Sequence, residues 1–222
     1  MSSSLIDLLI RPDGFFRTAA SGTESLKIPA LIVLTGGIVG AVYGYLMGSL
    51  SATMMAGIMP GMDAIIYLSA TLGALIGTFI FWFIIAGIFY ILSYLFKGKG
   101  SFNRVLEFTG YGYLPQIFGS LITLVVALEY LPKITVPVLT SAALDDPALM
   151  EQAVNAFMHD PAMIELTQIT SLVAIVFMLW SAHIWIFGMQ YARGLSARDA
   201  AICVGTPIVL YVLYLIYNLG AM

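Results

Sequence analysis

Charged residues are scarce in this sequence, and that scarcity excludes most classes of soluble protein. Of 222 residues, 9% are Asp, Glu, Lys or Arg, whereas 60% are hydrophobic. A water-soluble domain carries ~25% charged residues, so this chain lacks the polar surface that a soluble enzyme needs. A formal net charge of −3 also leaves no basic footprint for nucleic acid. The composition therefore predicts an integral membrane protein without a nucleic-acid partner.

Cysteine and the common catalytic motifs are also rare or missing. Cys203 is the single cysteine, which excludes an intramolecular disulfide. The sequence contains no G-x-S-x-G, H-E-x-x-H, Walker or dinucleotide fingerprint. The 12 methionines are irregularly spaced and no cysteine accompanies them, which favours flexible packing over a copper site. We therefore expect no catalytic residue, metal site, cofactor or small-molecule substrate.

Runs without any charge are long, and they predict the architecture. Five such runs occupy residues 28–62, 64–96, 108–128, 166–192 and 200–222. Each is long enough to span, because ~20 helical residues cross ~30 Å of hydrocarbon. The predicted fold class is therefore all-α, a polytopic membrane helical bundle with five transmembrane helices. We place the spans near 29–48, 65–95, 109–128, 163–192 and 200–219, with a turn from Ser49 to Asp63.

Basic residues favour one side of this predicted bundle. Segments on alternate sides hold eight Lys or Arg residues against one. The positive-inside rule then makes the N-terminus, the 97–107 turn and the 193–199 turn cytoplasmic, and puts the C-terminus outside. Residues 28–222 form a single transmembrane domain in this interpretation, with an outer helical loop at 129–162. Two Asp-Pro pairs in or beside that loop predict helix starts: Asp146-Pro147 and Asp160-Pro161.

Residues 1–27 predict a cytoplasmic amphipathic segment that lies on the membrane interface. Phe15 and Phe16 stand beside Arg17, which suits rings in the interface and a cation among the headgroups. A partly ordered tail is the alternative. Basic residues of the neighbouring turn complete the predicted cytoplasmic interface: Lys97, Lys99 and Arg104.

Glycine recurs at every fourth position of the first span, at Gly36, Gly40, Gly44 and Gly48. Missing side chains on one helix face let another helix approach closely. The pattern predicts helix packing within the chain, with self-association as the alternative. A shorter pair in the second span is the candidate partner for this face: Gly73 and Gly77.

His183 is the one histidine within a predicted span. It precedes Arg193 by ten residues, which puts it ~15 Å deep if the arginine marks the headgroup level. Polar groups at that depth point into a bundle and find a partner, because an unsatisfied one in hydrocarbon costs several kcal/mol. A hydrogen-bonded structural histidine is favoured over a proton or substrate relay, since no intramembrane Asp, Glu, Lys or Arg is available to share a proton with it. The candidate intramembrane polar site comprises His183, Gln190, Tyr211 and Tyr214.

Three stretches carry a family resemblance. They are Leu5 to Phe16 (LIDLLIRPDGFF), Gly98 to Phe102 (GKGSF) leading to Gly110 to Pro115 (GYGYLP), and Trp180 to Ala200 with Gly194-Leu195-Ser196. Together they resemble the Yip-domain family, the Ypt/Rab-interacting membrane proteins and their prokaryotic relatives. The resemblance implies a five-helix membrane bundle without catalytic residues. Eukaryotic members act in vesicle traffic, bind prenylated Rab GTPases and form oligomers, whereas this chain is most similar to a bacterial or archaeal cell-membrane member.

Two functional hypotheses follow from the sequence. The first is a non-enzymatic membrane scaffold or adaptor, with the lipid bilayer and a second copy or another membrane protein as partners. The alternative is a small transporter, channel or lipid-translocating protein that uses a polar midplane cavity around His183. An intramembrane enzyme ranks third, because it would need hydroxyl groups that converge on His183.

Overall fold

The computed structural model describes residues 4–221, and within this range the chain is helical without a β-strand. Five helices are long and apolar enough to cross a membrane. They are α3 (Lys27–Met55), α4 (Asp63–Ser93), α6 (Leu114–Tyr130), α9 (Pro161–Arg193) and α10 (Ala197–Ala221). The predicted fold class, an all-α membrane bundle with five transmembrane helices, is confirmed.

Short helices lie at both ends of this bundle. At the end where α9 finishes, which we call the Arg193 end, lie α1 (Leu5–Ile10), α2 (Pro12–Ala20) and α5 (Phe102–Tyr111). We call these three helices and the 97–101 loop the cap. At the opposite end, the Lys133 end, lie α7 (Ala142–Asp145) and α8 (Pro147–Met158). Asp146 and Asp160 accept backbone hydrogen bonds at the starts of α8 and α9, so both predicted Asp-Pro helix starts are confirmed.

The first span is longer than the sequence predicted. We expected it to end at 48, but α3 continues to Met55. The hydroxyl groups of Ser49, Ser51 and Thr53 each donate to a backbone carbonyl three or four residues earlier. Their polarity is thereby satisfied inside the helix, so these residues do not make the predicted turn. The connection to α4 lies at residues 56–62 and includes Gly61 with a φ of +80°.

The predicted third span, 109–128, begins too early. The structure ends α5 at Tyr111 and starts α6 at Leu114, so Thr109 belongs to the cap. Pro115 stands in the first turn of α6, where its missing N–H costs no hydrogen bond. Gly112 lies against the Trp185 ring so closely that a Cβ there would overlap it. The chain therefore bends at 112–113, a break that hydropathy alone does not reveal.

The buried apolar residues form two separate clusters. The larger lies at the Arg193 end and includes Phe16, Phe89, Phe108 and Trp185. The smaller lies at the Lys133 end and contains Leu50, Ala127, Ile134 and Leu166. The bundle is hollow next to the larger cluster, and four members of that cluster line the hollow.

Candidate functional site: a capped cavity inside the bundle

Two glycines of α3 bring it against α4. A Cβ on Gly44 would lie 2.7 Å from the Ala70 carbonyl oxygen and 3.0 Å from the Ala74 Cβ. A Cβ on Gly48 would lie 3.0 Å from the Ala70 Cβ. The predicted partner was wrong, because α3 packs here on alanines of α4 and not on its two glycines. At Gly73 and Gly77 a Cβ would meet no atom within 4 Å.

The remaining four glycines of the two predicted patterns line a cavity of about 600 Å³. Four residues per step advance a helix face by ~40°, so Gly36 and Gly40 turn away from the Gly44 contact. They line the cavity from α3, while Gly73 and Gly77 line it from α4. The remaining lining includes Ile32, Val33, Tyr43, Ala74, Thr78, Phe81, Ile85, Tyr113, Gln116, Ser120, Met178, Trp185, Pro207, Ile208 and Tyr211. The volume lies within the ~300–1,000 Å³ of typical ligand pockets.

Three polar side chains of the cavity are hydrogen-bonded within the protein, while Tyr43, Tyr113 and Tyr211 add hydroxyl groups to its lining. Gln116 donates from Nε2 to the Ser181 Oγ at 3.1 Å. The Ser120 hydroxyl donates to the Gln116 carbonyl at 2.8 Å, and the Thr78 hydroxyl donates to that of Ala74 at 2.9 Å. No charged residue is among those that line the cavity in the described part of the chain. Its surface is therefore suited to an apolar occupant more than to an ion.

One side of the cavity is flanked by α4 and α10. These helices meet near the Arg193 end, where the Cys203 thiol donates to the Phe89 carbonyl at 3.2 Å. Pro207 follows one turn later and cannot donate to the Cys203 carbonyl, because proline has no N–H. Beyond Ile208, none of the described residues of α10 is buried. Three residues that line this side of the cavity are exposed, Gly73 and Phe81 of α4 and Tyr211 of α10, so the cavity has an open flank between α10 and α4.

The predicted polar site around His183 is not assembled. His183 is exposed on the outer surface of α9, where its ring packs edge-on against Phe187 at 5.1 Å between centroids. Gln190 is half-buried near the cap, and Tyr214 is 61% exposed. Among the four predicted residues, Tyr211 alone lines the cavity. The prediction that His183 points into the bundle was wrong. The residues on either side of it, Ala182 and Ile184, are buried, whereas His183 lies on the outward face of the helix.

The cap closes the cavity at the Arg193 end. Trp82 donates from Nε1 to the Leu106 carbonyl at 2.9 Å. Trp185, which lines the cavity, donates from Nε1 to the Thr109 carbonyl at 2.8 Å. Each indole is an apolar body with one donor, and both donors go to backbone carbonyls of α5. The two tryptophans therefore fix α5 across the mouth of the bundle.

Phe15 and Phe16 lie in the protein core and not in the membrane interface. Phe15 is 5% exposed and Phe16 is fully buried. The Phe16 ring lies 4.8 Å from that of Phe108, and the Phe15 ring 5.0 Å from that of Tyr111. Gly188 of α9 supplies the space, since a Cβ there would be 3.4 Å from Phe16. The interfacial prediction for these two rings was wrong, because α2 turns its apolar face to α5 and α9.

Arg104 joins α5 to the end of α2 and to the residues that follow it. Its Nη1 donates to the Ala19 carbonyl at 3.3 Å, and its Nη2 donates to that of Gly22 at 2.7 Å. It also pairs with Glu107 at 2.8 Å. Burial raises the pKa of the Glu107 carboxyl above its ordinary value, while Arg104 and the Ser25 backbone N–H oppose the shift. The hydrogen bonds of Arg104 are thus made within the cap, whereas the sequence analysis assigned this residue to the cytoplasmic interface.

The residue that sequence reasoning missed is Arg193. We treated it as a marker of the headgroup level, but it is 1% exposed. Its Nε donates to the Ser93 Oγ at 2.8 Å, its Nη2 donates to the Gly98 carbonyl at 2.7 Å, and its Nη1 donates to that of Gly100. The only sequence signal is the glycines at 98 and 100, where a Cβ would crowd Arg193 or Ala192.

Aromatic rings complete the environment of this guanidinium. Its central carbon lies 4.4 Å from the Tyr90 ring centroid and 4.9 Å from that of Tyr94. A cation above ring faces is attracted to their negative π surface. Arg193 therefore holds the 97–101 loop to α4 and α9 by hydrogen bonds to neutral groups and by cation–π contacts.

Exposed basic residues lie on the surface of the cap. Lys97 and Lys99 are exposed on the loop that Arg193 holds. Arg17 is exposed on α2, where it pairs with Asp13 at 2.7 Å and donates to the Tyr191 hydroxyl at 3.2 Å. The Arg193 end holds eight of the nine basic residues, and the Lys133 end holds seven of the twelve acidic ones. The two ends of the bundle thus differ strongly in charge.

These features define an integral membrane protein of five transmembrane helices with a helical cap at one end. The family model for the Yip1 domain matches residues 6–218, so the chain belongs to the Yip1 domain family. It is also similar to the uncharacterized protein MJ0794 of Methanocaldococcus jannaschii, with 40% identity over 124 residues. That match covers 56% of this chain and 88% of the archaeal protein, which supports a membrane protein of prokaryotic type. No solved structure matches.

Proposed function

We propose that this protein is a non-enzymatic membrane adaptor whose partner-binding surface is the basic face of the cap. The observation that carries the proposal is the way Arg193 and Arg104 are used. Both arginines donate hydrogen bonds within the cap and so hold it together. Lys97 and Lys99 remain exposed on a loop whose position is fixed by these bonds. A fixed, positively charged surface favours an acidic segment of a partner protein, because little ordering is needed on binding.

The structure gives less support to the transport alternative. A coupled transporter needs titratable or charged groups along a path, and His183 faces away from the cavity. The lining of the cavity contains no charged residue among those the structure describes. Membership of the Yip1 domain family supports a membrane protein of the Yip type.

Site-specific photo-crosslinking in living cells tests the adaptor role. A photoreactive phenylalanine analogue at Lys97 should give a discrete product with one partner protein. Adding Lys99→Glu should lower the yield several-fold, because the reversed charge repels an acidic segment. Lys133→Glu at the opposite end is the matched control and should leave the yield unchanged.

Three outcomes would overturn the proposal. One is the absence of a product from position 97, and another is an equal product from a probe at Glu151 in α8. The third comes from purified protein in liposomes: a flux of ions, metabolites or lipids that Gln116→Leu or His183→Ala abolishes would make the protein a transporter.

A further inference from the structure

We propose that the cavity binds one hydrocarbon chain of a membrane lipid, which enters from the bilayer between α4 and α10. The site comprises the glycine-lined space of about 600 Å³ described above. This role is independent of the adaptor surface, because the cavity lies inside the bundle and Lys97 and Lys99 lie on the cap.

The first argument is that glycine creates this volume. An alanine Cβ at Gly73 or Gly77 would meet nothing within 4 Å, so close helix packing does not require glycine at either position. Glycine inside a helix is less favourable than alanine by ~1 kcal/mol in host peptides. Gly36 and Gly40 face the same space from α3. Four glycines around one cavity therefore keep open a space that larger side chains would fill.

The second argument is the chemistry of the walls. They are mainly apolar. The side chains of Thr78, Gln116 and Ser120 donate to protein acceptors, and three tyrosines also line the space, Tyr43, Tyr113 and Tyr211. An ion would meet no charged partner among the described lining residues, whereas an alkyl chain needs none. A smaller cavity of about 150 Å³ adjoins the main one, shares Gly40, Tyr43, Gln116 and Ser120 with it, and is lined further by residues of α6 and α9. Together the two spaces offer room for an alkyl chain.

The third argument is access. The cavity adjoins the larger buried cluster, and its open flank lies beside Phe81 of α4 and Tyr211 of α10, which are both exposed. In a membrane that flank faces lipid chains. A second copy of this chain is a poorer occupant, because a helix is ~10–12 Å wide and the cavity would hold only about one turn of it.

Photolabelling in nanodiscs tests the proposal with the full chain. The probe is phosphatidylcholine with a diazirine midway along one chain, diluted in unlabelled phosphatidylcholine. Labels should concentrate on cavity residues such as Met178, relative to the lipid-exposed reference residues Ile80 and Leu210. Peptide mass spectrometry after photolysis gives the ratio.

A pair of matched variants separates binding from general lipid contact. Gly77→Leu should narrow the cavity and block entry of a chain past α4, which should lower the cavity-to-reference ratio at least fivefold. Gly87→Leu is on the same helix, also has no atom within 4 Å of its Cβ, and lies outside the cavity lining, so it should leave the ratio within twofold. Gly73→Leu replaces Gly77→Leu if the latter does not fold.

Two results would overturn the inference. One is a cavity-to-reference ratio near one in the unaltered protein, or equal ratios in Gly77→Leu and Gly87→Leu. The other is a crosslink between two copies from a photoreactive residue at position 77, which would make a neighbouring helix the occupant. Loss of the partner product at Lys97 would leave this inference untouched, so the two proposals fail separately.

Discussion

Arg193 and Ser93, one hundred residues apart in the sequence, are joined by a buried hydrogen bond of 2.8 Å from Nε to Oγ. Ser93 itself is fully buried and donates to the Tyr90 carbonyl at 2.6 Å. This bond is the point where α9, the end of α4 and the 97–101 loop meet. A charge buried without a carboxylate partner is kept only if neutral groups satisfy it, so we expect the residue to be sensitive to substitution.

Arg193→Lys should lower the free energy of unfolding by ~3 kcal/mol, because an ammonium cannot reach all three acceptors and leaves buried carbonyls with too few donors. Thermal unfolding of the detergent-purified protein measures the loss. Arg198→Lys is the control, since Arg198 is exposed on the next helix and should change stability by no more than ~0.5 kcal/mol. Equal effects of the two variants would contradict the structural role of Arg193.

Gly44→Ala and Gly73→Ala should change stability in opposite directions. The new methyl group at position 44 would lie 2.7 Å from a backbone oxygen of α4, so the helices must separate, at a cost of ~1–3 kcal/mol. At position 73 the methyl group meets open space, and the better helix propensity of alanine should stabilise by up to ~1 kcal/mol. Unfolding of both variants in one detergent checks the sign. Destabilisation by Gly73→Ala would contradict the open cavity.

The buried carboxyl of Glu107 should make stability depend on pH. Its pKa is raised by burial, so the folded state holds the proton more tightly than the unfolded state does. Stability from this group is therefore fully present below the unfolded pKa, near 4.5, and is lost as pH rises through the folded pKa. Glu107→Gln removes this dependence while keeping an acceptor for Arg104. The stability of the unaltered protein relative to Glu107→Gln should fall as pH rises from 4 to 7, and a constant difference would contradict the prediction.

The two ends of the bundle should be accessible from opposite sides of the membrane. Cys203 is buried, so Cys203→Ala gives a cysteine-free background. Lys99→Cys should react with an impermeant maleimide only after cell lysis, because the basic end is predicted to be cytoplasmic. Glu151→Cys should react in intact cells. Labelling of both positions in the same compartment would contradict the five-span topology.

Sequence reasoning found the helices because hydrocarbon thickness and charge scarcity decide which segments span, and both can be read along one dimension. It was wrong about the direction in which several side chains point around their helices. Hydropathy does not say which way a residue points around a helix, so His183 was placed inside and Phe16 outside. The acidic helix caps at Asp146 and Asp160 were found because their signal is local.

The cavity and the Arg193 site depend on contacts between distant segments, and for that reason the sequence did not reveal them. Glycines four residues apart read as a packing face, yet Gly36 lines the cavity while Gly44 packs on α4. Only the three-dimensional positions of α4 and α6 separate these two roles. Likewise, nothing near position 193 indicates that its partners are residues 93, 98 and 100.

The place of Phe16 in the core has a consequence for synthesis. Its pocket is built from Phe108 of α5 and Gly188 of α9, so α2 docks on segments that are synthesised long after it. Docking across so long a stretch of chain is slow, and the apolar surface of α2 stays exposed until it is complete. The opening helices must therefore remain unassembled, shielded by lipid or a chaperone, until translation has passed residue 193 and the cap can close.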